Sequence, residues 1–158
     1  MLSRTLTIAD VCRVTGRNRY ELRGLLDGAL AEKPSKGARV AREFTPHELL
    51  VITTMTDLEN RLGIKRSYVV SLSKQFSQVL SGPRVVDRQA RLVITFTPPS
   101  VSYVSSTLPA EDAVVLALGP IFERVDRYIA EGALPAGQTQ LRFDPVSVPR
   151  PRTRVRRG

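Results

Sequence analysis

Apolar and polar positions in the N-terminal part of the chain alternate with the period of an α-helix. Thr7 is a candidate N-cap, and Asp10 three residues later completes a near-match to a capping box. Gly16 is expected to end this first helix, because glycine enters a left-handed turn without a side-chain penalty. Asn18 can cap a second helix. The inner faces of the two helices are predicted to comprise Ile8, Val11 and Cys12, then Leu22, Leu25 and Leu26.

Two further helices are predicted before residue 83. Thr45 caps the first of them, with Pro46 in its opening turn, and Gly63 ends it. Residues 65–80 are predicted to form one continuous helix, and residues 81–83 break the pattern. The predicted inner faces are Val51, Met55, Leu58 and Leu62, then Val69, Leu72, Phe76 and Val79.

The segment from residue 30 to residue 44 combines basic residues with Pro34 and Gly37. Directly after two short helices, this composition favours a two-stranded wing with an exposed tip. The alternative is a solvated loop.

Beyond residue 83 the apolar period changes to two. Leu92, Ile94 and Phe96 predict one strand, Val101 and Tyr103 a second, and together they predict a hairpin. Helical periodicity returns over residues 110–131, where Gly119-Pro120 must kink or split a helix. Residues 139–144 could add a short strand.

Several motifs in the first half are similar to those of the MerR-type regulators. Thr7-Ile8, Val11, Thr15-Gly16 and Leu22-Arg23 match that family's opening helix-turn-helix. Arg42-Glu43-Phe44-Thr45 resembles the end of its wing, and Leu62-Gly63-Ile64 resembles the junction between its third and fourth helices. The resemblance covers residues 5–80 and implies a winged helix-turn-helix that binds DNA.

The predicted fold is therefore mainly α with small β elements. Residues 1–82 are expected to form a MerR-like winged helix-turn-helix, and residues 83–145 a small α+β domain for dimerisation or interaction. Residues 146–158 are expected to form a disordered basic tail. A formal charge of +9 divides into +5, −1 and +5 over residues 1–80, 81–145 and 146–158. This division favours nucleic acid at the two ends and protein contacts in the middle.

Other classes of function find little support in the sequence. One cysteine and one histidine cannot assemble a zinc site or an internal disulfide, so no metal or other cofactor is expected. No catalytic triad or phosphate-binding glycine loop is present, and the chain is not predicted to be an enzyme. With no signal sequence or membrane-length apolar run, we expect it in the bacterial cytosol or nucleoid.

Candidate DNA contacts cluster at the front of the second helix, where helix-turn-helix proteins read base edges. Arginine can pair with guanine, and asparagine with adenine. The resemblance implies that Arg23 and Arg42 contact phosphates, and that the fourth helix approaches the backbone. The full set is Arg17, Asn18, Arg19, Tyr20, Arg23, Lys36, Arg39, Arg42, Lys65 and Arg66.

The expected function is sequence-specific binding of double-stranded DNA by a homodimeric transcription regulator. One alternative is an architectural protein of a phage or mobile element, of the excisionase or small-terminase type, which recruits a protein partner through residues 83–145. Another is a ligand-sensing regulator with an apolar effector pocket in that domain. The predicted dimer contact is Val114, Leu118, Ile121, Phe122, Val125 and Ile129, unless this segment instead covers its own sheet.

The arginine-rich tail generates the first testable prediction. Deleting residues 146–158 removes five arginines and no acidic residue. We expect this deletion to lower non-specific DNA affinity steeply at low salt, because each neutralised phosphate releases counterions. The preferred sequence should stay the same. Titration of duplex DNA at several salt concentrations measures the effect, and an unchanged low-salt affinity would show that the tail does not contact DNA.

Overall fold

A computed structural model of the protein describes residues 5–30, 41–82, 89–105, 108 and 111–133. Within these ranges the chain forms six helices and a three-stranded antiparallel sheet, a mixed composition that agrees with a small α+β fold. The helices are α1 (Ile8–Thr15), α2 (Arg19–Ala29), α3 (Pro46–Leu62), α4 (Arg66–Ser71), α5 (Ser73–Val79) and α6 (Gly119–Ala133). The strands are β1 (Arg91–Phe96), β2 (Pro99–Val104) and β3 (Ala113–Ala117).

The predicted ends of α1 and the predicted start of α2 are confirmed. The Asp10 carboxylate accepts a hydrogen bond of 2.7 Å from the backbone N–H of Thr7. Gly16 ends α1 in the left-handed conformation, with φ of 70°. Asn18 caps α2, since its side-chain oxygen accepts from the N–H of Glu21 at 2.9 Å and the Glu21 carboxylate accepts from the N–H of Asn18 at 2.8 Å. Local sequence therefore sets this turn.

Helix α3 lies at the centre of the fold. Thr45 and Pro46 begin it and Gly63 ends it, as predicted. The predicted single apolar face was too narrow, because every residue from Glu48 to Leu58 is buried. Leu62, the last member of that face, is 41% exposed. A helix that is buried all round belongs to the interior of the fold rather than to its surface.

The prediction of one continuous helix over residues 65–80 was wrong, because this segment forms two helices. Leu72 separates α4 from α5, and its N–H donates to the carbonyl of Val69 in a tighter turn. The apolar spacing nevertheless keeps Val69, Leu72 and Phe76 in the core. The break thus changes the path of the backbone without exposing the predicted face.

The predicted hairpin is confirmed, but the prediction for the following segment is not. β1 pairs antiparallel with β2, and on its other side with β3. Residues 113–117 thus form a strand where a helix over 110–131 was predicted. The helix begins only at Gly119, so Pro120 lies in its first turn. Proline is tolerated there because N–H groups in the first turn have no intrahelical acceptor. The predicted strand over 139–144 lies outside the described residues.

Helix α6 packs on α3 and α1 of its own chain. Leu118, Ile121, Phe122 and Val125 are buried in the core, and Val114 and Ile129 are partly buried against it. The predicted dimer contact is corrected accordingly, since its main side chains already fill the interior of the monomer. The alternative, in which this segment covers its own sheet, holds only in that the segment packs within its own chain: residues 113–117 are a strand of that sheet, and α6 packs mainly on α3 and α1.

One hydrophobic cluster includes buried residues from both predicted domains, from Leu6 to Val125. Four hydrogen bonds between described residues also cross the division at residue 82, and two of them come from α6. The guanidinium of Arg124 donates to the Asp57 carboxylate at 2.8 Å, and the hydroxyl of Tyr128 donates to Asp10. The division at residue 82 remains a prediction, but the described parts on either side share a core.

Helices α2 and α4 approach each other at two glycines on α2. A Cβ atom placed on Gly28 would lie 2.4 Å from Cγ1 of Val70. A Cβ atom on Gly24 would meet only the end of the Arg66 side chain, at 3.4 Å. The absence of a side chain at Gly28 is therefore a condition of this helix packing.

Alanine substitutions at the two glycines should have opposite consequences. Gly28→Ala should lower the free energy of unfolding by about 1–3 kcal/mol, because Val70 is β-branched and cannot easily move aside. Gly24→Ala is the matched control. It should be neutral or stabilising by up to about 1 kcal/mol, because alanine favours a helix and Arg66 is flexible. Urea unfolding of both variants measures the difference, and equal stabilities would contradict the close packing at Gly28.

Candidate nucleic-acid interface

The first turn of α2 presents its side chains to solvent. Arg19 and Tyr20 are both exposed, and Tyr20 is 87% exposed although it is a large aromatic residue. Neither side chain makes a hydrogen bond or ion pair with another described residue. The side-chain oxygen of Asn18 serves as the cap of α2, which leaves its amide N–H groups able to donate outward.

Two other arginines, one just before α2 and one within it, have acidic partners four residues later. Arg17 donates to Glu21 at 2.9 Å, and Arg23 lies 3.9 Å from Asp27 with both side chains largely exposed. The backbone hydrogen bond from Asn18, followed by the Arg17 guanidinium, lowers the pKa of Glu21 below its ordinary value. Arg17 is therefore held close to the turn, whereas the long and exposed Arg23 pair costs little to break.

The N-terminus of α4 adds a second basic group beside α2. Arg66 forms two hydrogen bonds, of 2.8 and 3.1 Å, with the Glu59 carboxylate, and these raise the pKa of Arg66. Its guanidinium lies next to Gly24, where α2 carries no side chain. Lys65 precedes it and is exposed, with no partner among the described residues.

Arg42 has a structural role that the sequence did not reveal. Its guanidinium donates to the carbonyl of Leu30 at 2.7 Å and lies 5.8 Å from the ring centroid of Phe44. Phe44 in turn pairs with Leu6 in an isolated β-bridge. Arg42 thus holds the end of α2, whereas Arg19 lies at its start, about 16 Å away along the helix axis.

The structure therefore groups some of the predicted DNA contacts and separates others. Asn18, Arg19, Tyr20 and Arg23 share the N-terminal part of α2, and Arg66 with Lys65 lies beside it. Lys36 and Arg39 lie outside the described residues. The sequence reasoning missed Gly24 as the place where α4 reaches α2, and the Gly24-x-x-x-Gly28 spacing was the available signal.

Other candidate sites are weaker. Cys12 is half-buried, and the Nε2 atom of His47 lies 3.1 Å from the hydroxyl of Ser77. In the described part of the chain, no three His, Cys, Asp or Glu side chains converge as a metal site would require, and none of its helices could cross a membrane. An open groove of about 340 Å³ lies between α1 and α6. Charged side chains of both signs line it, including Arg13, Glu123 and Arg127, so it does not resemble the apolar pocket expected of a ligand sensor.

Comparison with known proteins returned no relative. No protein family matches this chain, and no curated protein or solved structure is significantly similar to it. The similarity to MerR-type regulators consequently remains a prediction from the quoted motifs.

An arginine bonded within the chain and an exposed arginine should differ in their contribution to the free energy of unfolding. Arg42→Ala should lower the free energy of unfolding by about 1–3 kcal/mol, because it removes a charged hydrogen bond and leaves the Leu30 carbonyl without that donor. Arg19→Ala removes the same charge from an exposed side chain and should change stability by less than about 0.5 kcal/mol. Chemical denaturation of both variants measures this, and equal stabilities would contradict the structural role of Arg42.

Proposed function

We propose that the protein binds double-stranded DNA and regulates transcription, with α1 and α2 as a helix-turn-helix and α2 as the recognition helix. The observation that carries this proposal is the first turn of α2. It offers Arg19 and the largely exposed ring of Tyr20 to solvent, directly after a tight glycine turn. Residues at this position of a recognition helix enter the major groove.

The chemistry of these side chains suits base reading. The arginine fork can donate two hydrogen bonds to guanine O6 and N7, and the amide of Asn18 can donate to a base or a phosphate. The Tyr20 ring supplies an apolar surface for a thymine methyl group and a hydroxyl for a phosphate oxygen. In this proposal Arg19 and Tyr20 determine sequence preference.

The neighbouring basic groups suit the phosphate backbone. Arg23 lies one turn further along α2 than Arg19, the Arg66 side chain lies beside Gly24 of the same helix, and the exposed Lys65 precedes Arg66 in the chain. Such contacts position a protein on DNA without reading its sequence. Residues 31–40 of the predicted wing lie outside the described residues, and Arg42 at the C-terminal end of that segment donates to the Leu30 carbonyl at the end of α2.

The proposal predicts a specific effect on DNA recognition. Selection from a pool of random duplexes should return a consensus for the wild-type protein. Arg19→Ala should relax that consensus at one base pair and weaken binding to it by about 1–3 kcal/mol. Tyr20→Ala should also weaken binding to the selected site. Fluorescence anisotropy with the selected duplex and a scrambled duplex gives both affinities.

Arg127→Ala is the matched control. Arg127 is exposed on α6 and makes no ion pair with a described residue, so this variant loses the same charge from a helix other than the proposed recognition helix. It should keep the consensus and nearly the full affinity. If Arg19→Ala and Tyr20→Ala behaved like Arg127→Ala, α2 would not be the recognition helix. If the wild-type protein selected no sequence and bound no duplex, DNA binding itself would be excluded.

A further inference from the structure

We propose that β3 is a self-association edge, at which two copies of the chain pair their β3 strands antiparallel and form a continuous six-stranded sheet. The sheet order is β2-β1-β3, so β2 and β3 are the two edges. The proposal concerns a second copy of this chain and does not depend on DNA binding. It assigns the dimer contact to a strand rather than to the buried face of α6.

The two edges differ in how they are protected. β2 begins with Pro99, and helix α5 covers this edge, because the side-chain oxygen of Gln75 accepts a hydrogen bond of 3.0 Å from the N–H of Val101. β3 has the sequence AVVLA, without charge or proline. Among the described residues, no strand or side chain bonds to its outer backbone groups. Protein edges usually carry such protection, and an unprotected apolar edge is a template for another strand.

The hydrogen-bond alternation identifies which backbone groups of β3 point outward. Since the N–H of Val101 bonds to α5, Val101 and its partner Ile94 form a non-hydrogen-bonded pair. Alternation then makes Val93 and Ser102 a hydrogen-bonded pair. The N–H and C=O of Val93 both bond to β2, so Val93 and its partner Val115 on β3 form a non-hydrogen-bonded pair. The N–H and C=O of Val115 therefore face the open edge.

A second observation gives the same alternation. The N–H of Leu118 donates to the carbonyl of Ala90 at 2.9 Å, so the backbone N–H and C=O of Leu118 point toward the β1 side of the sheet. Counting back in twos, Leu116 and Val114 also face β1. Ala113, Val115 and Ala117 must then point their backbone groups outward.

These outward groups are spaced for pairing with an identical strand. A two-fold axis at Val115 places Val115 opposite its own copy, and Ala113 opposite Ala117 of the second copy. Each of these three facing pairs would exchange two hydrogen bonds, about six in all. Such pairing is closed, because the same surface is used on both copies. No charged side chain lies on β3, so a chain of net charge +9 meets no local repulsion there.

The flanking residues add charge complementarity. The same register places Asp112 opposite Leu118 of the second copy, and Glu111 opposite Gly119, the first residue of α6. The two carboxylates would lie near the positive end of the second copy's α6 dipole. The pairing covers only a short strand, so the dimer should form in a concentration-dependent manner.

Disulfide trapping tests the register directly. In a Cys12→Ser background, Val115→Cys should form a covalent dimer under mild oxidation, because facing residues of a hydrogen-bonded pair have Cα atoms about 5.5 Å apart, within disulfide range. Ser102→Cys is the matched control, since Ser102 is exposed on the same face of the sheet but on the β2 edge. A non-reducing gel should show dimer for Val115→Cys and monomer for Ser102→Cys.

A second pair of variants measures the reversible dimer. Val115→Glu would bring two carboxylates face to face across the axis and should weaken dimerisation about fivefold or more in sedimentation equilibrium. Ser102→Glu should leave it unchanged. Absence of a wild-type dimer at all concentrations, equal trapping of the two cysteine variants, or equal dimerisation of the two glutamate variants would overturn the proposal. Because these measurements contain no DNA, they fail or succeed independently of the proposed function.

Discussion

The burial of α3 on every side is the constraint on which the rest of the fold depends. An all-buried helix must satisfy its polar side chains internally, because unpaired polar groups in a core are costly. The hydroxyls of Thr53, Thr54 and Thr56 do so by donating to carbonyls one turn earlier, at 2.7, 2.9 and 2.8 Å. Because these hydroxyls are already hydrogen-bonded, the other helices can pack against α3 without leaving them unpaired.

Helix α6 completes this enclosure, although it comes from the C-terminal half of the chain. Asp57, near the end of α3, is buried as a carboxylate and paired with both Arg61 and Arg124. Tyr128 reaches the Asp10 carboxylate that also caps α1. The position of α1, and through it the proposed recognition helix, therefore depends on residues more than one hundred positions away. Loss of the contact between Tyr128 and Asp10 would therefore remove one of the restraints on the position of α1.

The basic residues of this chain perform different tasks despite their similar chemistry. Arg42 and Arg124 donate to groups within the chain, and Arg66 pairs with Glu59 while its side chain stays 41% exposed. Arg19 and Lys65 are exposed without a side-chain partner among the described residues. Net charge alone consequently overstates the number of side chains available to a nucleic acid. The composition of the first turn of α2 is more informative than the total charge of +9.

The sequence alone determined the features that depend on neighbours within one or two turns. Capping at Thr7, Asn18 and Thr45, the glycine ends at Gly16 and Gly63, and the hairpin before residue 105 follow from local steric and hydrogen-bonding preferences, and the structure reproduces them. The front of α2 was identified as the candidate contact surface because the Asn18 cap marks where this helix begins, and a helix cap depends on neighbouring residues.

Only the tertiary structure decided the features that require a distant partner. The segment AVVLA fits helical spacing as well as a strand, and pairing with β1 resolves the ambiguity. The same is true of Arg42, whose partner carbonyl lies twelve residues away, and of Gly28, whose importance appears only when Val70 is in place. Side-chain periodicity specifies which face is apolar, but it does not specify what covers that face. That choice depends on the whole chain packing around α3, because burial is a property of the assembled core.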